Sequence, residues 1–411
     1  MRSAVLAEYD RSALALNHTG RRPSCGITDA LTVGQSARER FIIAGRVPSH
    51  RDFPLGRKGG LPVVHVSGSY HDMGLKLGRQ CKRIALSMLA EAKAGLSRKG
   101  IPWDQAIARG QDFLPYAEGF DPKYIELLRG YSTGTGISYE EIFTMICREE
   151  RGLCTDVAVN GYATSDGSVL STHTEDWTSS DEKHIVLVHG KPRGDPSFLI
   201  VSLGGFELVS GLNASGISFS GNSLTQNDMR IGVPMLFVAR RIAASRTIGQ
   251  AITACVPSDR GSSFNNNICH SSGEMFCVEA SATDFSLLYP CEGVLVHTNH
   301  YLDPRMVKHE MLFQGRGGMH LGEGSGSLVR YHRALRLVRK ELGNISVEYL
   351  TQILTDHVNR PKSICCHEDL SSPPHERYKT IYATIVDLTN LEMMVCRGNP
   401  CEGRFEKYSL D

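Results

Sequence analysis

A cysteine followed by an acidic pair is the first group in this sequence that could do chemistry. Cys154 opens the segment "CTDVAVNG", and Glu175 and Asp176 precede a tryptophan in "HTEDW". A thiol becomes a nucleophile when a nearby base or positive charge favours its thiolate. The α-amino group of Cys154 itself is one candidate base, because its ordinary pKa of roughly 7.7–8.0 suits proton transfer near neutral pH.

That amino group exists only if the bond between Leu153 and Cys154 is broken. The thiol could break this bond by attacking the Leu153 carbonyl, which would give a thioester that water then opens. The two products would be residues 1–153 and 154–411. The alternative is an inert, buried cysteine at the start of a strand, which is the more common role of a free cysteine.

The composition is typical of a globular protein. Hydrophobic residues make up 41% of the 411 residues and charged residues 22%. With 45 Lys and Arg against 44 Asp and Glu, the chain lacks the basic excess of a nucleic-acid binder. No apolar run approaches the roughly 18–20 residues of a membrane helix, and the acidic N-terminus does not resemble a signal peptide. We therefore expect a cytoplasmic protein.

The 12 cysteines are spread along the chain without any CxxC pair, which is typical of a protein whose cysteines are mostly reduced, buried thiols. The segment "SICCHED", residues 363–369, offers metal ligands, but adjacent cysteines rarely reach the same ion. The pattern therefore favours a protein without a metal or an organic cofactor.

The spacing of apolar residues is mostly helical before Cys154 and mostly strand-like after it, and the chain is predicted to have three segments. Residues 1–60 are irregular, and residues 61–153 are mostly helical, with a capping box at Ser138 and Glu141. Residues 154–411 begin with successive strands and continue with strand blocks that alternate with helix pairs. This order predicts an α+β fold of stacked sheets covered by helices.

Seven motifs occur in an order that resembles a known family. They are "SGSYHDMGLKLGRQ", "CREE", "CTDVAVNG" with "HTEDW", "GLNASGISFSGNSL", "VHTNH", "PKSICCHED" and "RYKTIYATIVDLTNLEMMVCRGNP". Together they resemble the acyl-coenzyme A:6-aminopenicillanic acid acyltransferase branch of the N-terminal nucleophile (Ntn) hydrolases, which includes the insect N-β-alanyl-dopamine (carcinine) hydrolase. The resemblance covers about residues 62 to 408. It implies a four-layer αββα sandwich and self-cleavage between Leu153 and Cys154.

The resemblance also implies roles for single residues. Cys154 matches the nucleophile and new N-terminus, and Asp176 matches the acid that orients its amino group. Asn299, in "VHTNH", matches the side-chain donor of an oxyanion hole, and Arg377, in "HERYKT", matches an arginine of the site. The alternatives are a turn role for Asp176 and a surface position for Arg377.

Other assignments stay open. Gly221 and Asn222 match a source of a backbone donor, and Arg148 and Glu149 resemble an arginine–acid pair that precedes the cut. "HTEDW" is one residue longer than its counterpart in the acyltransferase, so Glu175 competes with Asp176 for the role of the acid.

Three further positions have competing explanations. Leu153 occupies a position where several family members have glycine, and a bulkier residue there could slow the cut. His297 and His300 flank Asn299 and offer possible metal ligands, although their spacing alone gives little support. Asn213 lies in a glycosylation sequon, but turn chemistry explains the asparagine better.

The expected activity is hydrolysis of a small linear amide, of the β-alanyl-amine or N-acyl amino acid type, through a thioester on Cys154. Acyl transfer from a coenzyme A thioester to an amine is the first alternative, because it uses the same acyl-enzyme. An uncut, inert scaffold that binds amides is the second. The two cleaved pieces are expected to remain together as a heterodimer.

Overall fold

The computed structural model describes residues 60–147, 152–262, 264–315, 318–319 and 324–410. Apart from Gly60, the predicted N-terminal extension lies outside these residues, as do Arg148 and Glu149.

The segment ahead of Cys154 is helical, as the periodicity predicts. Three of its helices begin at side-chain caps, because the backbone N–H groups of Asp72, Tyr124 and Glu141 bond to Ser69, Asp121 and Ser138. The helices of the described residues are α1 (Tyr70–Arg98), α2 (Trp103–Phe120), α3 (Pro122–Thr135), α4 (Tyr139–Ile146), α5 (Met235–Ala243), α6 (Ile248–Cys255), α7 (Gly324–Lys340) and α8 (Val347–Leu354).

Glycines let α1 and α3 approach each other closely. A Cβ at Gly74 would lie 1.9 Å from the Leu127 carbonyl oxygen, and one at Gly130 would lie 2.1 Å from that of His71. Any larger residue would force the helices apart, which explains Gly74 in the "SGSYHDMGLKLGRQ" motif.

Two sheets form the centre of the fold. The strands of the large sheet, in spatial order, are β1 (Val63–Gly68), β4 (Ile185–Pro192), β5 (Phe198–Leu203), β6 (Glu207–Asn213), β7 (Ile217–Ser223), β8 (Phe264–His270), β9 (Met275–Ala280) and β10 (Phe285–Leu288). Those of the small sheet are β11 (Val294–His297), β2 (Leu153–Val159), β3 (Leu170–Thr178), β14 (Tyr378–Asp387), β15 (Glu392–Arg397) and β16 (Phe405–Ser409). A short hairpin, β12 (Gln314–Gly315) and β13 (Gly318–Met319), lies apart from both.

The layers follow the order helix, sheet, sheet, helix. Helices α1, α5 and α6 pack on the large sheet, β2 contacts β7 between the sheets, and α7 and α8 pack on the small sheet. Alternate residues of β2 show the two environments, because Ala158 belongs to the main core while Val157 and Val159 pack in the cluster beneath α7 and α8. The predicted αββα sandwich is confirmed.

Among the described residues, no helix combines the length and the apolar character needed to cross a membrane.

Candidate active site

Strand register gathers the first four residues of the site. In the antiparallel pair of β2 and β3, Cys154 lies opposite Glu175 and Asp156 lies opposite His173. Alternate residues of a strand point to the same face, so these four side chains share the face of the small sheet that is turned toward the large sheet. All four are buried.

His173 lies between two carboxylates. Its Nδ1 is 2.9 Å from Asp156 Oδ1, and its Nε2 is 3.1 Å from Glu175 Oε2. Burial lowers the pKa of this imidazole, but the two carboxylates outweigh burial and raise it to about 10. Asp156 also accepts hydrogen bonds from Ser220 Oγ and Asn267 Nδ2, each at 2.8 Å. The two carboxylates therefore favour the protonated form of His173, in which each ring nitrogen donates to one of them.

Cys154, His173 and Glu175 are also close enough to hold a metal ion together. A protonated His173 has no lone pair to offer, because both of its ring nitrogens donate to carboxylates. The arrangement therefore serves to position Glu175 beside the thiol better than it serves to bind a cation.

The thiol of Cys154 stays protonated in the uncut chain. Burial raises its pKa well above the ordinary range, and the charges of Glu175, Asp176 and Asp156 raise it further. The Sγ lies 3.6 Å from Glu175 Oε1, the carboxylate oxygen to which it donates. Formation of a thiolate in this environment requires a base in direct contact or a new positive charge nearby.

Asn299 bonds to the backbone on both sides of Leu153. Its Oδ1 accepts the backbone N–H of Cys154 at 2.9 Å, and its Nδ2 donates to the carbonyl oxygens of Gly152 at 3.3 Å and Ser223 at 3.2 Å. Arg330 donates to the same Oδ1 at 2.6 Å. Because two donors face the oxygen and two acceptors face the nitrogen, the orientation of the amide is settled by its partners.

Arg330 is a site residue that sequence reasoning missed. This buried side chain donates to the Cys154 carbonyl oxygen and, at 2.9 Å, to Thr155 Oγ1. It lies on α7 at helical spacing from the buried Ala334 and Val338, so it occupies the apolar face of an amphipathic helix. An arginine at such a position is the signal that could have identified it, since a buried cation needs partners.

Asp176 lies on the opposite face of β3 from Glu175. Its Oδ1 accepts a hydrogen bond from Thr380 Oγ1 at 2.6 Å, and its Oδ2 is buried with no hydrogen-bond partner among the described residues. Burial raises the pKa of this carboxyl from 3.8 to about 7, against the opposing effect of the Arg330 charge. The carboxylate that touches the thiol is thus Glu175, and the assignment of Asp176 as the acid remains a prediction.

The raised pKa of Asp176 predicts a pH-dependent stability in the uncut chain. Between pH 3.8 and about 7 the folded chain holds this proton and the unfolded chain releases it, so the free energy of unfolding falls as the pH rises. A shift of this size corresponds to on the order of 4 kcal/mol. In a Cys154→Ala background, Asp176→Asn is expected to remove that fall, measured by urea unfolding at a series of pH values.

The parent Cys154→Ala chain is the control for this comparison, because every other titrating group is common to both proteins. The stability difference should be smallest near pH 4 and reach its plateau above pH 7 in favour of Asp176→Asn. Two curves that run parallel over this interval would show that Asp176 titrates normally.

The backbone donor near the thiol is one residue beyond the predicted pair. Gly221 pairs with Asn266 in the large sheet, and Asn222 accepts a hydrogen bond from His297 Nδ1 at 3.1 Å through its side chain. The backbone N–H that bonds to the sulfur of Cys154 and opposes the rise of its pKa belongs to Ser223. The role predicted for Gly221 and Asn222 therefore remains a prediction, and Ser223 is an additional candidate.

Arg377 is held by its own loop in the uncut chain. Its Nε donates to the Ser372 carbonyl oxygen at 3.0 Å and its Nη2 to that of Leu370 at 3.2 Å, with Glu368 at 3.8 Å. It precedes β14, the strand that carries Thr380, so it lies at the edge of the site. Its predicted role at Cys154 is not tested by these contacts.

The flanking histidines and the sequon are explained by hydrogen bonding. His297 Nε2 lies 2.8 Å from Glu279 Oε1, and His300 Nδ1 lies 2.8 Å from Ser327 Oγ. The buried Asn213 accepts the backbone N–H groups of Ser215 and residue 217 through Oδ1, which confirms the turn explanation.

Comparisons with known proteins identify relatives at the level of family and fold. The family model described as acyl-coenzyme A:6-aminopenicillanic acid acyl-transferase matches residues 162–402, more than half of the chain. Comparison with curated proteins gave no significant match.

Among solved structures, a variant of the conjugated bile acid hydrolase from Clostridium perfringens is 12% identical, with a TM-score of 0.41, over 63% of this chain and 97% of that one. Penicillin V acylase from Agrobacterium tumefaciens is 12% identical, with a TM-score of 0.39, over 59% of this chain and 83% of that one. Similarity at this level carries no information about the substrate.

Proposed function

The chain belongs to the acyl-coenzyme A:6-aminopenicillanic acid acyl-transferase family, and from this premise we propose that it is a self-processing cysteine amidohydrolase. It cuts its own chain between Leu153 and Cys154 and then hydrolyses small linear amides. The observation that carries the proposal is the placement of Asn299 beside the bond that is cut. Its Oδ1 accepts the backbone N–H of Cys154, and its Nδ2 donates to the carbonyl oxygen of Gly152.

Self-cleavage begins at the thiol. Glu175, at 3.6 Å, is the base in contact with Cys154 Sγ, and it accepts the proton as the sulfur attacks the Leu153 carbonyl carbon. The protonated Glu175 gives that proton to the leaving nitrogen as the C–N bond breaks, so the nitrogen leaves as the free amine of Cys154 and the acyl group moves to sulfur. Water then opens the thioester, which leaves a carboxylate on Leu153 and restores the thiol.

The cut changes the electrostatics of the site in favour of the nucleophile. The new amine takes the proton of the thiol and becomes an ammonium. Before the cut, three carboxylates disfavour the thiolate; after it, the positive charge of the ammonium stabilises the thiolate. Asp176 Oδ2 has no hydrogen-bond partner among the described residues, and Asp176 lies opposite Leu153 in the strand pair. This oxygen is therefore a further acceptor for the new ammonium. Release of the Gly152 carbonyl frees one N–H of Asn299 for an oxyanion.

Amide hydrolysis then follows the same covalent route. The Cys154 thiolate attacks the substrate carbonyl, and Asn299 with a backbone N–H, such as that of Ser223, stabilises the oxyanion. The α-ammonium gives its proton to the departing amine, and a thioester remains. The amine next takes a proton from water, which attacks the thioester and releases the acid.

The two fragments are proposed to stay together as a heterodimer. Helices α1 and α3 bury Met73, Leu77 and Tyr131 in the main core that they share with the large sheet. Separation would expose these apolar side chains to water, at about 1.5–3 kcal/mol for each. A cytoplasmic location remains part of the proposal.

The substrate class is tested with the processed protein and three kinds of reactant. We expect amine release from β-alanyl-histamine or from an N-acyl amino acid without any added thioester, measured by chromatography of the products. The Cys154→Ala chain is the control for background hydrolysis.

Product formation that depends on an acyl-coenzyme A and an acceptor amine would instead support the transferase alternative, which the family description favours. An uncut protein that binds these amides without turnover would support the inert alternative.

A further inference from the structure

Two cysteines and two histidines meet away from the thiol of Cys154. The ligand atoms of His357, Cys365, His367 and Cys401 all lie within 4.8 Å of one another. His357 follows α8, Cys365 and His367 belong to the loop between α8 and β14, and Cys401 lies in the turn between β15 and β16. Both cysteines are free thiols.

The distances match the edges of one tetrahedron. The two Sγ atoms are 3.5 Å apart, His367 Nε2 is 3.5 Å from each of them, and the Nε2 atoms of His367 and His357 are 3.1 Å apart. Ligands at zinc distances of about 2.3 Å for sulfur and 2.0–2.1 Å for nitrogen would be separated by about 3.8 Å for S···S, 3.5 Å for S···N and 3.3 Å for N···N.

We propose that His357, Cys365, His367 and Cys401 form a structural Zn²⁺ site. Two thiolates and two imidazoles are a donor set that zinc favours, and four protein ligands leave no open position for chemistry. Binding would release the two thiol protons, since only thiolates coordinate the ion. The site is thus a structural clip that holds the loop to the sheet.

Further contacts support the cluster. Asn399 Nδ2 lies 3.5 Å from Cys365 Sγ and 2.6 Å from the Cys366 carbonyl oxygen, so it both approaches a ligand sulfur and fixes the loop. The side chain of Cys366 takes no part, in keeping with the rule that adjacent cysteines rarely bind the same ion.

The loop that the ion would fix reaches the active site. The backbone N–H of Cys366 donates to Thr380 Oγ1 at 2.9 Å, and Thr380 donates to Asp176 at 2.6 Å. The same loop provides the carbonyl groups of Leu370 and Ser372 that hold Arg377. A metal clip would therefore hold in place the partners of two predicted site residues.

The competing explanation is a disulfide between Cys365 and Cys401. A disulfide would bring the sulfurs to about 2.05 Å and would leave neither sulfur able to act as a thiolate ligand. It would not require two histidine nitrogens beside the sulfurs. The 3.5 Å separation and the histidines favour the ion.

The test is the metal content of the full chain, purified without chelators under reducing conditions and measured by plasma mass spectrometry. We expect about one zinc ion per chain. The zinc content per chain of Cys401→Ser should be at least tenfold lower than that of the wild type. Cys366→Ala, which changes the adjacent buried cysteine outside the cluster, should retain it, and circular dichroism shows whether each variant is folded.

Cobalt provides a second readout that needs no variant. Metal-free wild-type protein titrated with Co²⁺ should develop a thiolate-to-metal charge-transfer band and the intense visible bands of tetrahedral cobalt. Wild-type protein that stays free of zinc after equilibration with Zn²⁺, zinc retained by Cys401→Ser, or a Cys365–Cys401 disulfide mapped in the reduced preparation would each overturn the proposal. Since the amidase assay is not involved, failure here leaves the proposed function untouched.

Discussion

Replacing Cys154 with alanine is expected to abolish both self-cleavage and amide hydrolysis. The wild-type chain of 45.2 kDa should appear as fragments of about 17 and about 28 kDa, with Cys154 at the N-terminus of the larger. The variant should remain a single full-length chain, because it lacks the thiol that attacks the Leu153 carbonyl. Loss of a nucleophile costs roughly 10⁶-fold in turnover, so activity should fall below detection. Intact mass and N-terminal sequencing provide the measurement.

The matched control is Cys255→Ala, which removes another buried free thiol from α6, far from the Leu153–Cys154 bond in the chain. Both substitutions delete one buried sulfur, so they should lower stability by similar amounts. Cys255→Ala should nevertheless be cut and active. An uncut wild-type chain would remove the α-amino base, and fragments from Cys154→Ala would show that the thiol does not make the cut. Either result would overturn the catalytic assignment.

Sequence reasoning identified candidate site residues where they lie in ordered motifs. Cys154 and Asn299 are each in a short segment with a recognisable pattern, and the structure joins them through one hydrogen bond of 2.9 Å. The helices ahead of Cys154 were predictable for the same local reason, since caps such as Ser138 and 3.6-residue periodicity are properties of adjacent residues.

What the sequence did not reveal depends on register and on distant partners. Glu175 and Asp176 are adjacent, and only the pairing of β2 with β3 decides which carboxylate lies opposite Cys154. Arg330 reaches the site from α7, in the helix layer that covers the small sheet. Its partners include a backbone carbonyl, which has no sequence signature.

The four residues proposed as zinc ligands could not be predicted for the same reason. Cys365 and His367 are visible in one motif, but two ligands are too few to predict an ion. His357 and Cys401 complete the set only because the fold brings the segment after α8 next to the turn between β15 and β16. Spacing rules such as CxxC detect sites built from short loops, and they fail where the ligands come from separate elements.

Replacing Asn299 with leucine is expected to slow both self-cleavage and turnover by roughly 10²–10³-fold. Leucine has nearly the shape of asparagine but cannot donate to a developing oxyanion, and removal of one such donor costs roughly 3–4 kcal/mol of barrier. The rate of conversion of the full-length chain into fragments, followed by intact mass, is one readout. The turnover number of the processed fraction is the other.

A stability loss could imitate this result, because Asn299 is buried and makes hydrogen bonds through both ends of its amide. Asn213 is the matched control, since its Oδ1 accepts two backbone N–H groups and its Nδ2 donates to the carbonyl oxygens of Ala243 and Ser245. Asn213→Leu should destabilise the fold comparably and leave the rate per folded molecule unchanged. If both variants lose the same activity at equal folded fraction, Asn299 is a structural residue, and the oxyanion must be stabilised by backbone N–H groups alone.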